Sequence, residues 1–328
     1  MPMKMEGDFQ ENAFKDLQIL VIGDAMIDRY YYGQINRQSP EANVPIVDVE
    51  QAENRLGGAA NVALNLAQLG AKAHLMSFKG DDDHAVLFQA LLSTQGIHAQ
   101  LIPSNRKTTV KTRLYHNNEY VMRYDIEDTF AIEEEVLASL LKQIEALCQK
   151  ECIDAIILQD YNKGLFTEKS IPAIIELVNR YKIPIAVDPK ENHFFAYQKV
   201  NLFKPNLKEI NKALQLDTKG SDELELKRAC KMLQEQLLCK RVLITMAHHG
   251  AVAYEDTIFY KVEAHSRNVV DVSGAGDTVI AMAGLLLALD FPIKKILFYS
   301  NLAGGLVIEE RGVKALTWKL WAQHVMQH

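Results

Sequence analysis

The chain has 328 residues, a formal net charge of −6, 48% hydrophobic and 24% charged residues. That length suits one large α/β domain or two smaller ones; the ordinary composition argues against long disorder, and the acidic balance gives no basic footprint for nucleic acid. No apolar run is long enough to span a bilayer, the amino terminus lacks the apolar centre of a secretory signal, and Cys148, Cys152, Cys230 and Cys239 read as reduced thiols, so a soluble cytoplasmic protein without membrane partners is expected.

Residues 1–16 read as an N-terminal extension before a single folded unit over 17–328. QILVIGDA (18–25) is a strand-type apolar run, and GGAANVALNLAQLGA (57–71) carries Val62, Leu66 and Leu69 on one helical face. KAHLMSFKG reads as a strand and DHAVLFQALLSTQG as a helix ending at Gly96. The alternation continues with helix EEEVLASLLKQIEALCQK, strand DAIILQDY, helix EKSIPAIIELVNRYK and strand IPIAVDP. VNLFKPN and RVLITMA then read as strands, LKEINKAL, ELELKRACKMLQEQLL and DTVIAMAGLLLAL as helices. Near-continuous apolar strands between helices predict a mainly parallel sheet buried on both faces. Two segments break this rhythm, 28–51 and 108–128; they are rich in β-branched and aromatic residues and predict a small β subdomain, with a hairpin turn at HNNE (116–119).

Several junctions carry chemistry. DVSGAGDT (271–278) joins a strand to an apolar helix, so its glycines suit close backbone approach to an anion at a helix N-terminus. Asp277 there is either a helix cap or a base for a substrate hydroxyl. Asp24, Asp28, Asp160 and Asp188 follow strands, where the ligand crevice of an open α/β sheet lies, although each singly reads as a cap or surface charge. Asn61, in GGAAN (57–61), offers donors and acceptors to sugar hydroxyls, or serves only helix packing. Asn206 and Glu209 in KPNLKE fit a capping box, or a carboxylate that orders water around Mg²⁺. No G-x-x-x-x-G-K-[ST], G-x-S-x-G or H-E-x-x-H occurs, and GAGDTV lacks the third glycine of a dinucleotide fingerprint.

GGAANVA together with DVSGAGDT resembles the two signatures of the ribokinase-like (PfkB) carbohydrate kinases, over about residues 17–317. GDAMIDRYYYG, SPEANVPIV, DYNKG, VDPK and KPNLKE are similar to one branch, the D-glycero-β-D-manno-heptose-7-phosphate kinases of bacterial ADP-heptose synthesis. The resemblance implies an α/β three-layer sandwich with a mainly parallel central sheet and a small β lid. It further implies ATP- and Mg²⁺-dependent phosphorylation of the anomeric hydroxyl of a heptose 7-phosphate, and a homodimer paired through the lid. By that resemblance Asp277 is the base, and the amides of Gly274, Ala275 and Gly276 hold charge on the transferring phosphoryl group. Asn206, Leu207, Lys208 and Glu209 match the nucleotide and Mg²⁺ motif, and Thr245, Gly250 and Asn301 fall near ATP. Asp24, Asp28, Gly57, Gly58, Asn61 and Asp160 fall at the sugar, and Asp271 and Val272 in a loop for a monovalent cation such as K⁺. Lys111, Arg113, Arg123, Lys163 and Lys190 are the candidates to hold the substrate's distal phosphate.

Two features depart from the branch: Met246 stands where an arginine is common, and EERG (309–312) replaces a smaller ending near the nucleotide. Some relatives fuse this kinase to a nucleotidyltransferase, and a chain of this length is expected to leave adenylyl transfer to another protein. The rival expectations are a PfkB kinase of another sugar, phosphosugar or nucleoside; a non-catalytic sugar or nucleotide sensor; and a nicotinamide-dependent dehydrogenase.

Overall fold

The computed structural model describes residues 9, 12–117, 119–265, 269–309 and 312–325. The chain enters its central sheet with β1 (Gln18–Gly23). Ile19 and Val21 join one apolar core while Leu20 and Ile22 join another, the two-residue period of a strand covered on both faces. A long hairpin of β2 (Ala25–Gln38) and β3 (Pro45–Gly58) leads to α1 (Ala59–Gln68), β4 (Lys72–Lys79), α2 (Asp83–Thr94) and β5 (His98–Pro103). β6 (Val110–His116) and β7 (Glu119–Ile126) form a second hairpin. Its turn puts Asn117 at φ 46°, as HNNE predicts, while Asn118 lies outside the described residues.

Next come α3 (Glu134–Lys150), β8 (Ala155–Gln159), α4 (Ser170–Arg180), β9 (Ile185–Asp188), β10 (Leu202–Phe203) and α5 (Leu207–Leu214). The chain closes with α6 (Glu223–Leu237), β11 (Arg241–Thr245), β12 (Ala251–Glu255), β13 (Ile258–Val262), α7 (Ala275–Ala288), α8 (Ile293–Val307) and α9 (Trp318–Val325).

The central sheet runs β13-β12-β11-β10-β9-β8-β1-β4-β5. It is parallel from β11 to β5, with β12 and β13 antiparallel at one edge. Helices α1, α2, α7, α8 and α9 pack on one face and α3 to α6 on the other, which is the expected three-layer α/β sandwich. β1 lies between β4 and β8, so the loops after β1 and β8 diverge over a crevice at the carboxyl end of the sheet.

The two irregular segments do form a separate four-stranded sheet, in the order β3-β2-β6-β7. Residues opposite each other share a face, so Asp28, Lys111 and Asp125 align, as do Tyr30, Arg113 and Arg123. Ahead of the expected start at residue 17, Phe14 is fully buried and stacks edge-on against Trp318. The four cysteines are free thiols. No described helix is long and apolar enough to cross a membrane.

Candidate active site

Asp277 is the centre of a buried polar network. Gly274 precedes α7 in the left-handed region, at φ 82°, and a Cβ there would come within 3.1 Å of Asn61 Nδ2. The first bond of the helix runs from Thr278 N to Gly274 O (3.0 Å), which leaves the Gly276 and Asp277 amides directed out of the helix end. Asp277 is 3% exposed and makes no capping bond with its own helix. Its Oδ2 accepts from Asn61 Nδ2 (2.8 Å), and its Oδ1 accepts from the Tyr161 hydroxyl (2.7 Å) and from Gln159 Nε2 (3.4 Å). Asp277 is thus not the cap of α7; its carboxylate is held by side-chain donors from other parts of the chain.

Burial pushes the Asp277 pKa up to about 7; the Asn61 and Tyr161 bonds oppose the rise, and the Asp188 and Asp28 charges add to it. A base must be ionised to accept a proton, so activity should be lost as pH falls through that value. We expect kcat/KM to drop about tenfold per pH unit below the limb and to level above it. A profile that is flat from about pH 5.5 to 8.5 would show that no such base titrates.

Around Asp277 the expected sugar-side residues separate into two groups. Asp28 is 4% exposed and accepts from Arg113 NH1 at 2.5 Å. A Cβ on Gly57 would fall 2.2 Å from Asp28 Oδ2, so glycine is required for that carboxylate to sit there. Gly58, at φ 58°, starts α1 and thereby brings Asn61 to Asp277. Asn61 is in turn fixed by Asn65, whose Oδ1 accepts from Thr278 Oγ1 and the Leu316 amide, both at 2.9 Å.

Asp24 and Asp160, expected at the sugar, are buried and hydrogen-bonded to the protein's own amides and a tyrosine hydroxyl. Asp24 is fully buried and its carboxylate accepts from the amides of Tyr161 (2.9 Å), Lys163 (3.0 Å) and Leu165 (3.4 Å). Asp160 accepts from the amides of Asn162 and Lys190 and from the Tyr197 hydroxyl (2.8 Å). Loop amides at the end of a parallel strand need acceptors, and these two carboxylates meet that need. Burial and then the Asp160 charge raise the Asp24 pKa to about 6.

The cationic candidates also divide. Lys111, Arg113 and Arg123 share one face of the small sheet by register, and Lys163 lies near them from the loop after β8. Arg123 pairs with Asp125 (2.6 Å) and Lys163 with Glu127 (2.8 Å), but the Lys111 ammonium has no ion pair or hydrogen bond among the described residues. Burial, then the charges of Lys163 and Arg123, hold Lys111 below the usual lysine range. Glu127 Oε2, beside Lys163, is buried without a hydrogen-bond partner.

Lys190 is not part of that cluster. It pairs with Glu209 Oε1 at 2.6 Å, and although burial alone would lower it, Asp188 and Glu209 outweigh that and hold it above the ordinary range. Glu209 completes a capping box with Asn206, each accepting the other's amide (2.8 and 3.0 Å). Leu207 packs on the core and Lys208 is exposed, so neither side chain joins the polar set around Asp277.

Three participants were not singled out from the sequence: Gln159, and Tyr161 and Lys204, which lie within DYNKG and KPNLKE. Lys204 pairs with Asp188 at 3.0 Å, the side chains 3% and 8% exposed. Lys204→Met would strand a buried carboxylate, and we expect about 3–5 kcal/mol less stability in urea unfolding; a loss within error would contradict the pairing.

Farther along the sheet, Thr245 ends β11 beside Asn206, and Gly250 sits at φ 79° where a Cβ would strike Val262 O. Met246 is 3% exposed and packs in the core. Asn301 donates to Glu263 O at 3.0 Å. Asp271 accepts from the Ser273 and Gly312 amides, both at 2.9 Å, which outweigh its burial and lower its pKa, while the Val272 side chain is 65% exposed. Within EERG, Glu310 and Arg311 lie outside the described residues. Among the described residues no group of three or more His, Cys, Asp or Glu forms a cation cage. The oxygen donors at Asp271 and Glu209 therefore fit, at most, a cation that brings other ligands with it.

A model of the pfkB family of carbohydrate kinases matches residues 16–320. Bifunctional protein HldE of a Nitratiruptor species is 35% identical over 300 residues, covering 92% of this chain and 63% of that protein. The Aliarcobacter butzleri protein of the same name is 37% identical over 305 residues, with the same coverage. The chain thus spans about 63% of the length of these curated relatives. Phosphofructokinase-2 from Escherichia coli, solved with potassium, superposes with a TM-score of 0.79 at 17% identity over 95% of this chain and 98% of that one. Arabidopsis thaliana ribokinase, solved with ribose and ATP, gives 0.70 at 15% identity over 94% and 99%. These two likenesses concern the fold.

Proposed function

Because the chain belongs to the pfkB family of carbohydrate kinases, we propose that it moves the terminal phosphoryl group of ATP to the anomeric hydroxyl of D-glycero-β-D-manno-heptose 7-phosphate. The product would be the 1,7-bisphosphate, a precursor for ADP-heptose and the lipopolysaccharide core. The observation that carries this reading is the cationic face of the small sheet, where Lys111 lies unpaired beside Lys163 and Arg123. A lysine with no ion pair of its own among the described residues, partly out of water beside two other cations, is suited to a phosphate that the reaction leaves untouched. The branch resemblance in GDAMIDRYYYG and DYNKG, and the likeness to proteins called HldE, support the same substrate.

In this reading Asp28 and the Arg113 beside it orient the sugar, and Asp277 takes the proton from the anomeric hydroxyl. Of the amides expected to act at the start of α7, from Gly274 to Gly276, that of Gly276 would face the charge that develops on the phosphoryl group, while Ala275 N donates to Val272 O (3.3 Å). Lys190, above Glu209 and Asp188, meets the nucleotide's phosphates, and the nucleotide lies along Asn206, Thr245, Gly250 and Asn301. Magnesium would arrive on ATP and keep water ligands, which Glu209 can order; it would neutralise phosphate charge. The Asp271 and Val272 loop is the place for a monovalent cation. Two copies would pair through the outer face of the small sheet, where Met122 and Tyr124 are 53% and 43% exposed.

Substrate choice is tested by ATP consumption in Mg²⁺ and K⁺ with the heptose 7-phosphate, fructose 6-phosphate, ribose or no sugar. The reading requires the heptose phosphate to be preferred. Greater turnover on ribose would remove the phosphate-holding role of the cationic face, and greater turnover on fructose 6-phosphate would replace the heptose.

A further inference from the structure

The loop after β8 is built more tightly than a connection needs. Asp24 takes the amides of Tyr161, Lys163 and Leu165, Asn162 adopts φ 53°, and Gly164 adopts φ 90°, where a Cβ would strike Phe130 O. The result of this clamping is the placement of one ring. Tyr161 is half-buried, stands near Gly58 and under the Lys190 ammonium, 5.4 Å from the ring centre, and points its hydroxyl at Asp277 Oδ1.

We propose that Tyr161 is a positioning residue for the base, and that its hydroxyl donates to Asp277 Oδ1 to keep that carboxylate ionised and oriented at the working pH. This rests on the reading of Asp277 as the base. The groups facing Asp277 make the donor necessary. Asp188 from β9 and Asp28 from β2 are carboxylates that oppose its ionisation, with burial stronger than either. Against them stand Asn61 from α1, Tyr161, and Gln159 at the longer distance of 3.4 Å, with the Lys190 ammonium over the tyrosine ring. The Tyr161 O–H···O⁻ bond, at 2.7 Å, is the one hydroxyl donor in that set and acts beside the Asn61 bond at 2.8 Å.

Tyr161 cannot exchange roles with the base. Burial and then the charges of Asp277 and Asp188 raise its phenol well above the ordinary range, so it remains a neutral donor. The buried Asp24 thereby acquires a purpose: it fixes the loop that fixes Tyr161.

The test is the pH dependence of kcat/KM for the sugar phosphate in wild type, Tyr161→Phe and Asp277→Asn. Losing one charge-assisted donor should move the acid limb of Tyr161→Phe to higher pH by about one unit. A purely structural tyrosine would lower the plateau and leave the limb in place, and a superimposable limb overturns the proposal. Should the phenylalanine variant not fold, 3-fluorotyrosine at position 161 keeps the ring and hydroxyl but donates more strongly. It should move the limb to lower pH, and a limb that stays or rises overturns the proposal equally. Asp277→Asn separates the two levels. If it retains full activity, the base reading itself falls; if it is inactive while the tyrosine variants leave the limb unmoved, only the role of Tyr161 falls.

Discussion

Asp277→Asn is expected to lower kcat by about 10²- to 10⁴-fold, the range contributed by a positioned general base, while ATP and sugar phosphate still bind. The expectation follows from geometry before chemistry. Asp277 lies at the end of a helix whose first amides have no partner within the helix, and it makes no cap there. Three side-chain donors from separate elements converge on it. An ordinary capping aspartate would need none of them, and its replacement by asparagine would cost little. Binding measured by calorimetry alongside turnover separates the cases. Intact binding with lost turnover marks a catalytic group, whereas undiminished turnover would mark a structural one or a sensor. Asparagine retains the volume and half of the acceptor capacity, so the packing around Asn61 should survive.

Lys111→Met should raise KM for a sugar phosphate by about 10- to 100-fold and leave KM for ATP unchanged, as expected when a hydrogen bond to a charged group is removed. Lys111 is chosen over its neighbours because Arg123 and Lys163 already have carboxylate partners, at 2.6 and 2.8 Å, and would be missed for two reasons at once. Methionine keeps most of the aliphatic stem that packs on the sheet, so a change in folding should not confuse the reading. The same variant assayed with an unphosphorylated sugar, if any is turned over, should show no comparable loss. Equal losses on both substrates would place Lys111 elsewhere than at a phosphate.

The layers of the fold were legible because strand and helix periods differ so sharply here. Ile19 to Ile22 alternate between two cores, and Leu66 repeats Val62 one turn on. The small sheet was legible for the opposite reason, that its segments lacked a helical period. β5, β12, β13, α8 and α9 were not read from the residue pattern, and β12 and β13 form an antiparallel edge that the parallel pattern does not announce. Within the site, glycines were the clearest signal, since Gly57 and Gly274 stand where a side chain would collide with Asp28 or crowd Asn61.

Carboxylates were the poorest signal. Asp24 and Asp28 each follow the first strand closely, yet Asp24 faces three loop amides and Asp28 faces Arg113. Nothing in the residue type separates those fates; only the path of the loop after β8 does. Lys190 reads like Lys163 because both trail an aspartate, but β9 carries Lys190 toward Glu209 and away from the cationic face. Tyr161, Gln159 and Lys204 act through partners distant in sequence, and no spacing between neighbours encodes them.

The most direct measurement is the structure of the product. With the heptose 7-phosphate, ATP and Mg²⁺, phosphorus NMR should show a second sugar phosphate ester whose signal couples to the anomeric proton, beside an unchanged ester at the 7-position. A new ester at any other carbon, or release of inorganic phosphate with no second ester, would contradict the proposed reaction.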